Sequence, residues 1–163
     1  MGILVEIIKY IIITALPIIA LFISKRYATF VDSAVERAKK YFAFICHIER
    51  KIGTYLTPPR GLGDGFSDPE LCEMINMISK GERLIDAYVA CRGTLPSSID
   101  EILVEFFTDF GKGDASLEVR RARETALRLE RALSEETALG EKQKRICSAI
   151  APSLAIALVI WLI

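Results

Sequence analysis

The chain has 163 residues, enough for one domain with appendages, and its 21 Lys and Arg residues balance its 21 Asp and Glu residues. This neutrality excludes the overall basic excess that is typical of nucleic-acid-binding proteins. Apolar residues make up 52% of the chain although 26% of its residues are charged. The two classes are segregated along the sequence, because residues 10–24 and 146–163 carry no charge.

The two uncharged segments predict transmembrane helices. Residues 3–24 form a predominantly apolar run of 22 residues, which would span about 33 Å as a helix against a hydrocarbon core of about 30 Å. Its two charged residues, Glu6 and Lys9, lie near the outer end at i,i+3 spacing, where they can pair and reach the headgroups. We expect a retained anchor rather than a cleaved signal peptide, because no Lys or Arg precedes this run. Residues 146–163 form a second and shorter apolar run. Gly140 and Pro152 are candidate bends in the helix that leads into it.

Basic residues flank both predicted spans on the side of the middle segment. They are Lys25, Arg26, Lys142, Lys144 and Arg145. By the positive-inside rule, residues 25–145 are expected in the cytoplasm, with both termini across the membrane. The predicted organisation is therefore a transmembrane helix at 1–24, a cytoplasmic helical domain at 25–145 and a transmembrane helix at 146–163.

The middle segment is predicted to be an all-α antiparallel helical bundle, because apolar residues recur at helical spacing and no stretch alternates convincingly as a strand does. Five stripes are predicted to face its core: Val31, Val35, Ala38, Phe42 and Ile45; Leu71, Met74, Ile75 and Ile78; Leu84, Ile85, Tyr88 and Val89; Ile102, Leu103, Phe106, Phe107 and Phe110; and Val119, Ala122, Ala126, Leu129 and Leu133. The last stripe has coiled-coil spacing, which suits closure within the bundle or pairing with another subunit.

Capping side chains predict where three of the helices begin. Asp68 precedes Pro69, a combination that favours a first helical turn. Ser98 and Glu101 have the spacing of a capping box. Asp114 is a preferred N-cap residue for the last helix.

The last predicted helix carries the one local cluster of basic residues. Arg120, Arg121 and Arg128 are candidates for a face that docks an acidic partner, and interleaved glutamates leave an ordinary solvated surface as the alternative. Glu124 and Arg128 have the order and spacing of a favourable i,i+4 pair.

No catalytic, cofactor or metal site is predicted. The glycine-rich segment at 61–65 lacks the Lys-Ser/Thr of a P-loop, so we expect an interhelical loop. His47 has no second histidine and no arrangement that would make it a catalytic base, so we expect a partly packed side chain. Free thiols are expected at four widely separated positions: Cys46, Cys72, Cys91 and Cys147. We therefore expect no enzyme activity, no cofactor and no small-molecule substrate.

The order of segments over the whole chain resembles the stage III sporulation protein AB family of endospore-forming bacteria. The element IGTYLTP, which contains Thr57 and Pro58, resembles a family element with the same Thr-Pro step. The element FFTDFGKGD resembles a second family element, which Phe106, Gly111 and Asp114 match. Together with the membrane segment at each end, these elements identify a divergent member.

The resemblance implies a bundle similar in fold to the cytoplasmic domain of type II secretion inner-membrane platform proteins. It also implies a platform subunit in the mother-cell membrane, within the transport complex that links mother cell and forespore. The implied partners are a hexameric secretion-type ATPase, other membrane subunits of the complex and membrane lipid, with no nucleic acid. The alternatives are a platform-like component of another secretion or pilus system, an adaptor that binds through the seam at 114–139, and a membrane-bound enzyme.

Overall fold

The computed structural model describes the backbone at residues 2–55 and 61–162, and the side chains at residues 15, 18–53, 61–150, 153, 157 and 160. These residues form helices and no strand, which confirms the predicted all-α class. The helices are α1 (Gly2–Tyr55), α2 (Cys72–Ser79), α3 (Leu84–Cys91), α4 (Ser97–Asp109) and α5 (Ala115–Leu162). The chain divides into two compact units: the bundle, Ala34–Glu136, and the paired ends, Met1–Ser33 with Thr137–Ile163.

The bundle has a hydrophobic core to which all five helices contribute. At its centre the ring of Tyr88 meets the ring of Tyr41 edge-on, with centroids 5.3 Å apart, and stacks on Phe107 at 4.9 Å. Both geometries are favourable for aromatic quadrupoles. Tyr88 on α3 therefore joins α1 to α4.

The hydroxyl of Tyr88 has a polar partner at the edge of the core. It donates to Asp100 Oδ1 at 2.6 Å, and Arg92 donates to Asp100 Oδ2 at 2.8 Å. Burial, followed by the bond to Asp100, raises the pKa of Tyr88 well above its usual value. The buried hydroxyl is thus satisfied, as a buried polar group must be.

The buried face of α1 is rotated from the predicted stripe. Ala38 and Ile45 are fully buried as predicted, but Phe42 is only partly buried. Tyr41 and Phe44, which the stripe omits, are fully buried. Helical spacing of apolar residues cannot tell which of these residues is buried. In the structure the rings of Tyr41 and Phe44 are buried because they pack against the rings of Tyr88 and Phe66.

The predicted seam of α5 is confirmed as part of the bundle core. Its buried members are Ala122, Ala126, Leu129 and Leu133, with Val119 partly buried against them. On the same helix, Arg123 Nε donates to Glu49 Oε1 of α1 at 2.9 Å. The seam therefore closes within this chain, so an adaptor would need a different binding surface.

The predicted start of α2 is displaced by a turn. Asp68 Oδ1 accepts the N–H groups of Glu70 at 2.9 Å and Leu71 at 3.3 Å, and the helix begins only at Cys72. Asp68 therefore accepts backbone N–H groups as a capping residue does, but the turn that it stabilises lies before the helix rather than at its first turn. The predicted burial of Val89 on α3 is wrong. Val89 is exposed, and this short helix buries Ala87 instead.

The predicted capping box of α4 is wrong. The helix begins at Ser97 with Pro96 at the N-cap position, where no side chain makes a capping bond. Ser98 Oγ instead donates to Glu136 Oε1 of α5 at 2.7 Å. Ser98 therefore lies inside the helix and serves a contact between helices.

Polar side chains join α1 to α5 in the paired ends. The hydroxyl of Tyr27 donates to Gln143 Oε1 at 2.7 Å, and Lys144 forms an ion pair with Asp32. We call these four residues, with the Val31–Gly140 contact described next, the clasp.

Gly140 is the point of close approach in the clasp. It is buried, and a Cβ atom at this position would lie 2.9 Å from Val31 Cγ1, which is closer than van der Waals contact. Helix α5 continues through Gly140 and Pro152, both predicted as candidate bends. The glycine therefore provides room for α1 within an unbroken helical element.

Exposed large apolar side chains are concentrated on the paired ends. They are Ile18, Ile19, Leu21, Phe22, Ile23, Tyr27, Phe30, Leu139, Ile146, Ile150 and Ile160. Within the described residues, no helix contains a stretch that is both long and apolar enough to cross a membrane. Many side chains of the predicted spans at 1–24 and 146–163 lie outside the described residues.

Candidate functional site

Three of the five residues on which the sequence resemblance rests lie at or next to the corner between α4 and α5. Phe106 is buried in the core, and Gly111 has a φ of +87°, a conformation that favours glycine. Asp114 Oδ1 accepts the N–H of Leu117 at 2.7 Å, which confirms the predicted N-cap of α5 and lowers the pKa of Asp114. Thr57 and Pro58 lie outside the described residues.

An ion pair that the sequence did not reveal closes the same corner. Glu118 is 5% exposed, and its Oε1 accepts from Arg121 and from the N–H of Gly113, each at 2.9 Å. Arg121 also donates to the backbone oxygen of Asp109, the last residue of α4, at 2.9 Å. The i,i+3 spacing of Glu118 and Arg121 was the available signal. Arg121 is therefore a structural residue of the corner rather than a free docking cation.

The predicted pair between Glu124 and Arg128 is absent from the described ion pairs. Arg128 instead donates to Glu105 Oε2 of α4 at 2.8 Å, a bond that lowers the pKa of Glu105 and raises that of Arg128. Glu124 lies 3.8 Å from Arg120, which is 69% exposed on its side chain. Among the three predicted docking cations, Arg120 is the one least engaged with its own chain.

A cavity of about 200 Å³ lies between α4 and α5, in the groove beside these arginines. Its lining comprises Glu105, Phe106, Asp109, Arg121, Glu124, Thr125 and Arg128. Three carboxylates and two guanidinium groups give the groove mixed charge, and its guanidinium groups already bond to this chain's own oxygen atoms. The groove therefore favours binding by exchange of surface ion pairs over capture of an isolated anion.

The other two sequence candidates have packing roles. In the glycine-rich loop Leu62 is fully buried, and a Cβ at Gly63 would overlap the side chain of Ile75, so this loop packs closely on α2. The ring of His47 lies 5.3 Å from that of Phe66, and burial lowers the pKa of His47. The described part of the segment between α1 and α2 thus packs against both helices.

Among the described residues, no group of three or more His, Cys, Asp and Glu side chains is placed to hold a metal ion. The four cysteines are free thiols, and Cys91 Sγ lies 3.8 Å from Met77 Sδ. Burial raises the pKa of Cys46 and of Cys91, which disfavours the reactive thiolate at both positions.

Comparison with known proteins gives no match to a protein-family model, to a curated protein or to a solved structure.

Proposed function

We propose that this chain is a non-enzymatic membrane platform subunit of the mother cell–forespore transport complex required for endospore formation. Its bundle would lie in the cytoplasm and dock the secretion-type ATPase of that complex. The observation that carries the membrane part is the concentration of exposed apolar side chains on the paired ends.

The width of the exposed apolar surface on α1 supports a lipid environment. Ile18, Ile19, Leu21, Phe22 and Ile23 are 54–67% exposed. At 100° per residue they cover about 200° of the helix circumference, whereas a helix that packs on one neighbour needs an apolar stripe of roughly 100°. Acyl chains surround a helix and can cover such an arc, which a single partner helix cannot.

Three of the residues on which the family resemblance rests lie at or next to the corner between α4 and α5. Phe106, Gly111 and Asp114 respectively fill the core, adopt a left-handed backbone conformation and cap a helix. The motif matches are thus residues with separate structural duties at one place in the fold.

Arg120 and Arg128 are the proposed contacts for an acidic surface of the ATPase. Arg120 is exposed, and Arg128 can exchange its bond with Glu105 for one to a partner at small cost, because exposed ion pairs contribute about 0–1 kcal/mol. Arg121 is left out of this face because it closes the corner.

A deletion in the native host, complemented with the full-length gene, tests the platform role. We expect few heat-resistant spores and arrest after engulfment, both restored by complementation. Normal spore counts would contradict the proposal. Loss of secretion or of pili in the same strain would instead favour a platform-like component of another secretion or pilus system.

Titration of the full-length chain, held in lipid nanodiscs, with the hexameric ATPase tests the docking face. Arg120→Glu should weaken binding about three- to tenfold, with a steeper effect at low salt. Arg83→Glu is the matched control, because Arg83 is also exposed and also has one local carboxylate partner. Equal affinities for the two variants would remove the docking face and leave the platform role standing.

A further inference from the structure

The paired ends carry more cations than their carboxylates neutralise. The described cations of this unit are Lys25, Arg26, Lys142, Lys144 and Arg145. Its described carboxylates are Asp32 and Glu141, and Lys144 is the cation that forms an ion pair with one of them. Within the described residues the other four cations have no carboxylate partner, and we call these four the basic collar.

The basic collar directly adjoins the exposed apolar side chains. The guanidinium carbon of Arg26 lies 5.8 Å from the ring centroid of Phe22, a cation–π contact on the exposed side of α1. On α5, Arg145 is followed by the exposed Ile146. On both helices a collar cation therefore has an exposed apolar residue next to it, in space on α1 and in sequence on α5.

The collar residues of α5 are turned away from α1. At 100° per residue, Arg145 and Lys142 lie about 140° and 200° around the helix from Gly140, which faces Val31. Both are exposed, so their charges remain available to the surroundings of the unit. A ligand that binds all four cations of the collar must therefore contact the paired ends from several sides at once.

We propose that the basic collar binds the headgroups of anionic phospholipids. This inference rests on the membrane role proposed above. A phospholipid supplies both groups that the collar can bind, a phosphate for the cations and acyl chains for the exposed apolar side chains beside them. Uncompensated Lys and Arg side chains beside a membrane are attracted to anionic lipid, and the attraction is screened by salt. An acidic protein would satisfy the charges but not the apolar side chains beside them.

Spin-labelled lipids measure this preference on the full-length chain in phosphatidylcholine vesicles. We expect labelled phosphatidylglycerol to be enriched about threefold over labelled phosphatidylcholine at the protein surface in low salt, and the enrichment to fall towards unity in about 1 M NaCl. The variant K25Q/R26Q/K142Q/R145Q should also fall towards unity. The control K80Q/R83Q/K112Q/R131Q removes the same number of cations from the bundle and should keep the enrichment.

The outcomes separate this inference from the one beneath it. Protein-bound lipid without a preference for phosphatidylglycerol, or a preference that the collar variant retains, would overturn the collar and leave the membrane platform intact. Absence of motionally restricted lipid of either kind would show that the chain is not embedded, and would overturn both.

Discussion

The bundle and the paired ends use their apolar residues in opposite ways. In the bundle the buried ring of Tyr88 packs against the buried rings of Tyr41 and Phe107, whereas in the paired ends Phe22 and Phe30 are more than half exposed. The bundle thus gains its hydrophobic stabilisation within the chain. Among the described side chains of the paired ends, α1 and α5 are joined by a clasp of polar contacts and one close glycine, and the large apolar side chains beside it are exposed.

Replacing one phenylalanine in each unit should give the largest difference between the two units. Phe107→Ala should lower the free energy of unfolding by about 3–5 kcal/mol, because it leaves a cavity among packed rings. Phe22→Ala should lower it by less than about 1 kcal/mol in detergent, because the ring is exposed. Urea-dependent pulse proteolysis of the full-length chain measures both. Similar losses would mean that Phe22 is buried within the protein after all.

Two neighbouring arginines of the bundle provide the second test. Arg121→Gln should cost about 1–3 kcal/mol, because it leaves the buried carboxylate of Glu118 without its cation. Arg120→Gln should cost less than about 0.5 kcal/mol, since its ion pair is exposed and long. The same proteolysis assay compares them, and equal costs would contradict the structural role of Arg121.

Two helical glycines distinguish the clasp from the bundle at a smaller scale. Gly140→Ala should loosen the clasp by about 1 kcal/mol, because the new Cβ meets Val31, whereas at Gly53 the nearest atom is 3.9 Å away. Gly53→Ala should stabilise α1 slightly through helix propensity. Hydrogen exchange would report the first change as faster exchange around residues 27–32 and 140–144. Restoration of slow exchange by Val31→Ala in the same chain would confirm the steric cause.

The smallest expected effect concerns the pKa of Glu105. Its bond to Arg128 lowers this pKa from the ordinary 4.5, so Arg128→Gln should raise it. A lowered folded-state pKa stabilises the fold above the unfolded pKa, and this contribution is lost as pH falls through the folded value. Carbon NMR titration of labelled glutamate carboxyl groups measures the shift. Arg120→Gln is the control and should leave the pKa of Glu105 unchanged.

Local signals in the sequence predicted what local contacts decide. Asp114 caps a backbone N–H three residues away, and the sequence was sufficient to find it. Ser98 and Arg128 were assigned to partners within their own helices, but they bond to Glu136 and Glu105, 38 and 23 residues away. Spacing along one helix cannot reveal which side chains a second helix brings within reach.

Packing partners also decide what a glycine does. The sequence marked Gly140 as a candidate bend because glycine is a poor helix former. In the structure the helix continues, and the missing side chain admits Val31. The residue was correctly singled out, and its role depended on a neighbour more than a hundred positions away.

The two units carry different optical signals: coupled aromatic rings in the bundle and a tryptophan in the paired ends. The ring of Tyr88 lies 5.3 Å from that of Tyr41 and 4.9 Å from that of Phe107 in a fixed, chiral arrangement, which produces circular dichroism in the near ultraviolet. The single tryptophan, Trp161, belongs to the segment Thr137–Ile163. One denaturant titration of the unlabelled natural chain can therefore follow two signals: near-ultraviolet ellipticity, to which the coupled rings of the bundle contribute, and the fluorescence of the tryptophan in the paired ends.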